Sequence, residues 1–551
     1  MSLKDSHPGQ VPEETARVAK AVFRKGHRYL TLRDTFGDLF DSDDFRSLFH
    51  LEGRPAIDPA QLALVTLVQF VENLSDERAA DAVRARIDLK YLLALPLDHP
   101  GFDASVLSEF RTRLIEGQGE HLLFERLLER FRAQQLLRAR GQQRTDSTHV
   151  LAAVRALNRV SLVGEAFRHA LNVLAIAAPE WLVQHGQKNW AQRYASHFDL
   201  TAEVAERQRA KREALLLQLG ADGKELLEAV LAQDAPRWLC ELPAIQILWR
   251  VWLQNFTPTE VGTLRWRTND EIPPSAMFVG SPYDADARYS QKRSTSWVGY
   301  KVHLTEACDD DLPLLITNVE TTIANTQDFD VLEDVHDHLK ARQLLPGAHL
   351  VDMGYLSAGL LVSERRDHDV KLIGPARQDQ RWQAWAGQGF AAEHFKVDWE
   401  RQMLTCPAGQ VSASWTNVLD QRQRAVVKVK FSMTDCGNCA LKIHCTKSSR
   451  RTVTLQQRER HEALLEWRGW TQTGEFAALY ARRAGVEGTM SVGVRVAGMR
   501  RSRYCGLAKT RLQHLCTASA LNLLRVADHL DGQPRARTRV AAFQRVLAQV
   551  A

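Results

Sequence analysis

The stretch YKVHLTEAC, residues 300–308, decides the fold. Tyr300, Val302 and Leu304 alternate with Lys301, His303 and Thr305, the two-residue period of a strand with one buried face. CDDDLP reads as a turn, and its acids Asp309 to Asp311 most simply as solvated turn residues. PLLITNVETT is a second strand, so the two form a hairpin. TQDFDVLEDVHDHLKARQLL has the period of an amphipathic helix. GAHLVDMGYLS is a strand ending in Asp352, with Gly354 just beyond, and VKLIGPAR (370–377) is another. Strand, strand, helix, strand, helix, strand describes a mixed α/β layer.

Upstream, RTDSTHVLA (144–152) is a short strand with Asp146 near its start, although its apolar alternation is poor. Between it and the hairpin, about 155–270 reads as a helical insertion. Residues 29–142 are helical in pattern. Asp58, Pro59 and Gln61 suit an N-cap, a first turn and a capping-box position, and Ser75 suits the next N-cap. A turn at Pro100-Gly101 precedes a helix bearing Arg111 and Arg113, and the short helices resemble a helix-turn-helix arrangement. Residues 1–20 are polar and expected to fray. Downstream, 378–465 breaks the pattern with VVKVKF and a cysteine cluster, and helical character resumes in HEALLEWRGW and TGEFAALYARRAGVEG.

The chain has 551 residues, 44% hydrophobic and 25% charged, the composition of a globular protein of several domains. No apolar run reaches the roughly 18 residues a membrane span needs, and MSLKDSHPGQVPEE lacks a signal-peptide apolar region. A cytoplasmic location is expected. The net charge of +6 says little by itself. Its distribution says more: Arg495, Arg500, Arg501, Arg503, Lys509 and Arg511 lie in 495–514 with no acid among them, which suits a polyanion.

Four groupings carry chemistry. In YARRAGVE (480–487), Tyr480, Arg483 and Glu487 fall at steps of three and four, on one helix face. Asp146, Asp352 and Glu487 are hard oxygen ligands suited to Mg²⁺ or Mn²⁺. Two such ions can stabilise both oxygens of an in-line phosphoryl transfer. Cys406, the pair Cys436 and Cys439, and Cys445 form a possible structural Zn²⁺ site, with His444 as a substitute ligand. Reduced, unligated cysteines are the other reading. Between Tyr289 and Trp297, the bases Lys292 and Arg293 with Trp297 suit a DNA backbone and a flipped base, or a loop whose tryptophan packs inward.

TDSTHV around Asp146, YSQKRSTSWVGYKVHLTE, LVDMGYLS around Asp352, YARRAGVEGT, GRPAIDPAQL and FDASVLSEFRTRL together resemble a bacterial insertion-sequence transposase of the DDE superfamily. The resemblance runs from about residue 30 to 530. It implies an RNase H-like core in which Asp146, Asp352 and Glu487 bind two Mg²⁺ (or Mn²⁺) ions as the catalytic triad. Tyr480, Arg483 and Glu487 match the family's Y-x2-R-x3-E-x6-K signature, whose lysine falls on Val494; Arg495 is one position on. The implied fold class is α/β, an RNase H-like mixed sheet with an all-α N-terminal domain, a helical insertion and a Cys-containing insertion. The implied domains are a helical DNA-binding domain at 1–142, a catalytic domain at 143–377 and 466–530 interrupted by 155–270, the insertion 378–465 and a basic tail at 531–551. The implied partners are double-stranded DNA, as inverted repeats and target, and further copies of the chain, in a homodimer or larger assembly on DNA. A decayed, non-catalytic DNA-binding relative and a plain RNase H-like nuclease are the rival expectations.

Overall fold

The computed structural model describes residues 2–3, 9–155, 157–198, 209–260, 263–377, 379, 381–385, 389–421, 423–535 and 542–547. Much of the expected basic tail, 531–551, lies outside the described residues.

The chain opens with α1 (Glu13–Val22), where fraying was expected; Ala19 is buried and the Thr15 hydroxyl donates to the Leu95 carbonyl at 2.9 Å. Next come α2 (Arg28–Phe36) and α3 (Pro59–Glu72). The Asp58 carboxylate accepts from the Ala60 N–H at 2.9 Å with Pro59 in the first turn, as the sequence predicts. Gln61 departs from the capping box and donates to the Leu93 carbonyl at 3.2 Å. Ser75 caps α4 (Asp76–Ala85). In α5 (Ser105–Glu116), Arg111 turns inward rather than outward to a DNA groove, pairing with Asp76 at 2.6 Å. Helix α6 (Leu122–Ala133) completes the region.

The sheet begins with β1 (Gln142–Leu151). It is followed by the insertion, with α7 (Arg159–Ala177), α8 (Arg209–Val230) and α9 (Pro243–Asn255). By length and composition α7 qualifies as a membrane span, which the sequence reading did not anticipate. Yet Leu162, Ala166, Phe167 and Ala170 are buried against Trp190, Tyr194, Leu248 and Val251, so α7 is the spine of a small helical core. Strand β2 (Arg288–Lys292) then turns into the long β3 (Thr295–Ala307), followed by β4 (Ile316–Ile323), α10 (Leu332–Ala341), β5 (Ala348–Val351), α11 (Ala358–Asp367) and β6 (Lys371–Ile373).

The order across the sheet is β4-β3-β1-β5-β6, with β2 on β3. Strand β3 runs antiparallel to both of its neighbours, β4 and β1, whereas β5 runs parallel to β1 and β6 parallel to β5. Gly299, at φ +153°, lies where β3 crosses the end of β1; a Cβ there would stand 2.1 Å from the Val150 carbonyl oxygen.

Beyond β6, β7 (Lys396–Asp398) pairs with β8 (Met403–Thr405), and β9 (Ser414–Leu419), β10 (Ala425–Lys430) and β11 (Thr452–Gln456) form a three-stranded antiparallel sheet. Four helices follow: α12 (Arg458–Trp470), α13 (Gly474–Tyr480), α14 (Gly485–Val496) and α15 (Leu507–Leu530), with a 3-10 turn at Ala481–Ala484 between α13 and α14. Helix α15 lies between the sheet and the N-terminal helices. Leu512, Leu515, Leu521 and Val526 share one core with Leu32, Leu67 and Phe131 on one side and Tyr300, Val302 and Val319 on the other.

Candidate active site

Thr145 of β1 lies in parallel register with Val351 of β5, so the next residues, Asp146 and Asp352, stand side by side at adjoining strand positions. The Asp146 carboxylate accepts from the Ser147 N–H at 2.8 Å, and that of Asp352 from the Met353 N–H at 2.7 Å. Asp352 lies just past the end of β5 and caps a short turn rather than closing the strand.

The third carboxylate arrives through an arginine. Arg483 places Nη2 2.7 Å from Asp146 Oδ2 and Nη1 3.0 Å from Glu487 Oε1. Residues from β1 and α14, 341 positions apart, are thus bridged by one guanidinium. Burial pushes the Asp146 carboxyl above its ordinary range, with Arg483 pulling it down and nearby Asp352 adding to the rise. Burial works against the Arg483 charge, but Asp146, Tyr480, Asp352 and Glu487 together outweigh it and raise that guanidinium further. Tyr480 is half-buried, its ring stacked on Phe476 at 5.4 Å between centroids. Its hydroxyl is pushed up by burial, against Arg483 and with Asp352, Asp146 and Glu487. The side chains of Y-x2-R-x3-E are therefore gathered about one spot, although the 3-10 turn interrupts the helix expected to carry them.

A buried network holds this assembly to the sheet. Arg144 Nε donates to Glu306 Oε1 at 2.7 Å, and Arg144 Nη1 to the Arg482 carbonyl at 2.5 Å. Thr489 of α14 donates to Glu306 Oε2 at 2.5 Å and Arg525 of α15 at 3.0 Å. Gly485 eases the approach: a Cβ there would stand 2.0 Å from Arg144 Nη1, and the guanidinium would have to shift. The acidic turn is solvated, as the sequence predicts, and its exposed carboxylates also make surface ion pairs. Asp310 pairs with Arg482, and Asp311 with Arg138 at 2.5 Å.

Among residues the sequence did not flag, Asp328 lies across β1, accepting from Ser147 Oγ at 3.4 Å and paired with Lys301 at 3.1 Å. Burial lifts the Tyr355 hydroxyl, and Asp328, Asp146 and Asp352 all add to the rise. The acids therefore crowd one end of the sheet. The only sequence signal for Asp328 was an acid before a helix, which many surface helices share.

The basic candidates are placed as follows. Lys292 and Arg293 are exposed at the β2–β3 hairpin tip, and Lys292 acts on the Asp146 carboxyl. Trp297 is buried, its indole N–H donating to the Tyr300 carbonyl at 3.1 Å, so the packing alternative describes it and it does not stand free to stack on a base. Val494 packs against the core while Arg495 is exposed. Arg500 and Arg501 are exposed where their segment joins the end of β1; Arg500 Nε donates to Thr148 at 2.9 Å.

The donor set suits a hard divalent ion: carboxylate oxygens only, one of them starved of water and held by a cation. Among the described residues, no three His, Cys, Asp or Glu side chains stand close enough to hold a metal as placed. Between Asp146 and Glu487 the guanidinium of Arg483 takes that position.

Two family models match the chain. Residues 405–527 match a transposase DDE domain, and residues 17–113 match a transposase domain (DUF772). The first span includes Glu487, Arg483, Tyr480 and the four clustered cysteines; Asp146 and Asp352 lie outside both. Comparison with curated proteins and with solved structures gives no match.

Proposed function

We propose that the chain is an insertion-sequence transposase of the DDE type, a reading that the two family matches support, and that it cuts the ends of its own element and joins them to target DNA. In this reading Asp146, Asp352 and Glu487 hold two Mg²⁺ or Mn²⁺ ions in an RNase H-like sheet. The observation that carries the proposal is that Arg483 bridges Asp146 and Glu487, with Asp352 next to Asp146 across the β1–β5 register. The strand order β4-β3-β1-β5-β6, three antiparallel strands and then two parallel ones, supports the RNase H-like assignment.

Bound divalent ions would neutralise the scissile phosphate and activate the attacking oxygen. The chain's own part is binding and orientation. Asp146, Asp352 and Glu487 are the residues that would hold the ions, and Arg483, which pairs with Asp146 and Glu487, carries the guanidinium that would bind a phosphate oxygen beside them. Tyr480, anchored on Phe476, points its hydroxyl at the same strand. Lys292, Arg293, Arg495, Arg500 and Arg501 neutralise backbone phosphates on either side. Arg495 stands in for the signature lysine, since Val494 belongs to the core. The helical region 1–142 reads the inverted repeats, and joining two ends calls for at least two copies of the chain on DNA, in the bacterial cytoplasm.

The test is an assay with end-containing DNA, target DNA and Mg²⁺. Wild type is expected to yield joined products, and Asp146→Asn to lose them by at least about a thousandfold while still binding DNA. Equal binding with no cleavage by either protein would establish the non-catalytic alternative. Cutting without joining would establish a nuclease.

A further inference from the structure

Among the described residues, the segment between β6 and α12 packs around a core of its own, in which Phe395, Leu404, Val427, Val429, Phe431, Val453 and Leu455 are buried and Val397, Trp399 and Trp415 are partly buried. Seven buried side chains are few for so much strand and loop. Small folds of this kind are commonly held by a disulfide or a metal. At the edge of this core lies a cavity of about 30 Å³, lined by Cys406, Cys436, Cys439 and Cys445 with Phe431 and Arg451 among the other walls. The four cysteines come from three separate pieces of backbone, and all are free thiols.

We propose that this cavity is a structural zinc site, closed by the thiolates of Cys406, Cys436, Cys439 and Cys445. The backbone is arranged as thiolate knuckles require. Cys406 begins a tight turn in which the Gly409 N–H donates to the Cys406 carbonyl at 2.9 Å, with Gly409 at φ +81°. Cys436 lies in a short helical turn, and its sulfur accepts from the Arg451 N–H at 3.5 Å. The Arg451 side chain is buried behind the cluster, donating to the Cys445 carbonyl at 3.0 Å and to that of Phe390 at 3.2 Å. His444 is not among the lining residues; its carbonyl accepts from the Phe390 N–H.

Four thiols from separate pieces of backbone face one small cavity, and zinc with four sulfurs at about 2.3 Å is the ordinary outcome for this donor set. As placed, the sulfurs surround the cavity without reaching that distance. Binding therefore draws all four inward and releases up to four protons, tying Cys406 to the Cys436–Cys445 hairpin of chain. With four protein ligands no position is left for a substrate, so the site is independent of the phosphoryl-transfer reading.

The full chain, expressed with zinc and purified without chelator, should carry about one zinc per chain by mass spectrometry of the metal. Exchange for cobalt(II) should give an intense sulfur-to-cobalt charge-transfer band and the visible bands of a tetrahedral thiolate site. Cys439→Ser and Cys445→Ser should each lower bound zinc at least about tenfold, with the DNA-binding affinity of the chain as a check that it remains folded. A wild-type chain that takes neither zinc nor cobalt overturns the proposal. So does a mass two hydrogens short per cysteine pair, which would identify disulfides, or a cobalt spectrum unchanged in both variants.

Discussion

Glu306 has no exposed surface and faces three partners at once: Arg144, Thr489 and Arg525. Its charge is balanced by two guanidiniums that have little access to water. Glu306→Gln removes the charge and keeps the shape, leaving two cations to repel each other in a dry site. The expected cost is about 3–5 kcal/mol, read as a shift in the denaturation midpoint; a loss below about 1 kcal/mol would show the arginines hydrated. This residue also marks what the sequence cannot display. Tyr480, Arg483 and Glu487 were legible because a local helical period puts them together. Glu306 and Asp328 were not, because they gain their meaning from contacts between segments remote in the chain, such as the 183 positions that separate Glu306 from Thr489. Trp297 was ambiguous for a related reason: the same aromatic among bases serves a strand's packing or a base's stacking.

At the level of elements, the hairpin of β3 and β4, the strand before Asp352 and the caps of α3 and α4 were all legible, since each expresses a period or a cap chemistry. Strand β1 was the poorly marked one. Its alternation is poor because both of its faces are covered: Val150 enters the main core, while Thr145 and Thr148 are buried in polar contacts. Helix α15 was recognisable as apolar, but its position was not. It runs across the sheet, and the Asn522 side chain both accepts from the Ile316 N–H at 2.7 Å and donates to the Ile316 carbonyl at 2.8 Å, as a further strand would. Asn522→Leu fits apolar surroundings yet orphans both backbone groups. It should cost about 2–4 kcal/mol, detectable as faster amide exchange at Ile316 and a lower midpoint. Unchanged exchange at Ile316 would mean that water replaces the amide.

For the molecule as a whole, buried histidines set the response to acid. Burial lowers both His303 and His514 to about 4, and His349 well below its ordinary value. The folded chain keeps them neutral, whereas the unfolded chain protonates them near 6.5. Between those values the unfolded state binds more protons, so stability is full above about 6.5 and declines as pH falls toward 4. His338, raised by its bond to Glu320, acts in the opposite direction at a single site. Melting temperature should therefore fall steadily from about pH 6.5 to about pH 5, and a flat profile there would mean that these imidazoles are solvated.

Helix α15 has one more consequence. With Leu32, Phe131 and Tyr300 in one continuous core, the region proposed to read the element's ends and the sheet bearing the acids proposed to cut them are packed on a shared core. A tool built in one piece measures as it cuts. The distance from the repeat to the scissile bond is then a dimension of the protein, as fixed as the gap between the jaws of a gauge. An element could change the sequence between the two points freely, but not its length.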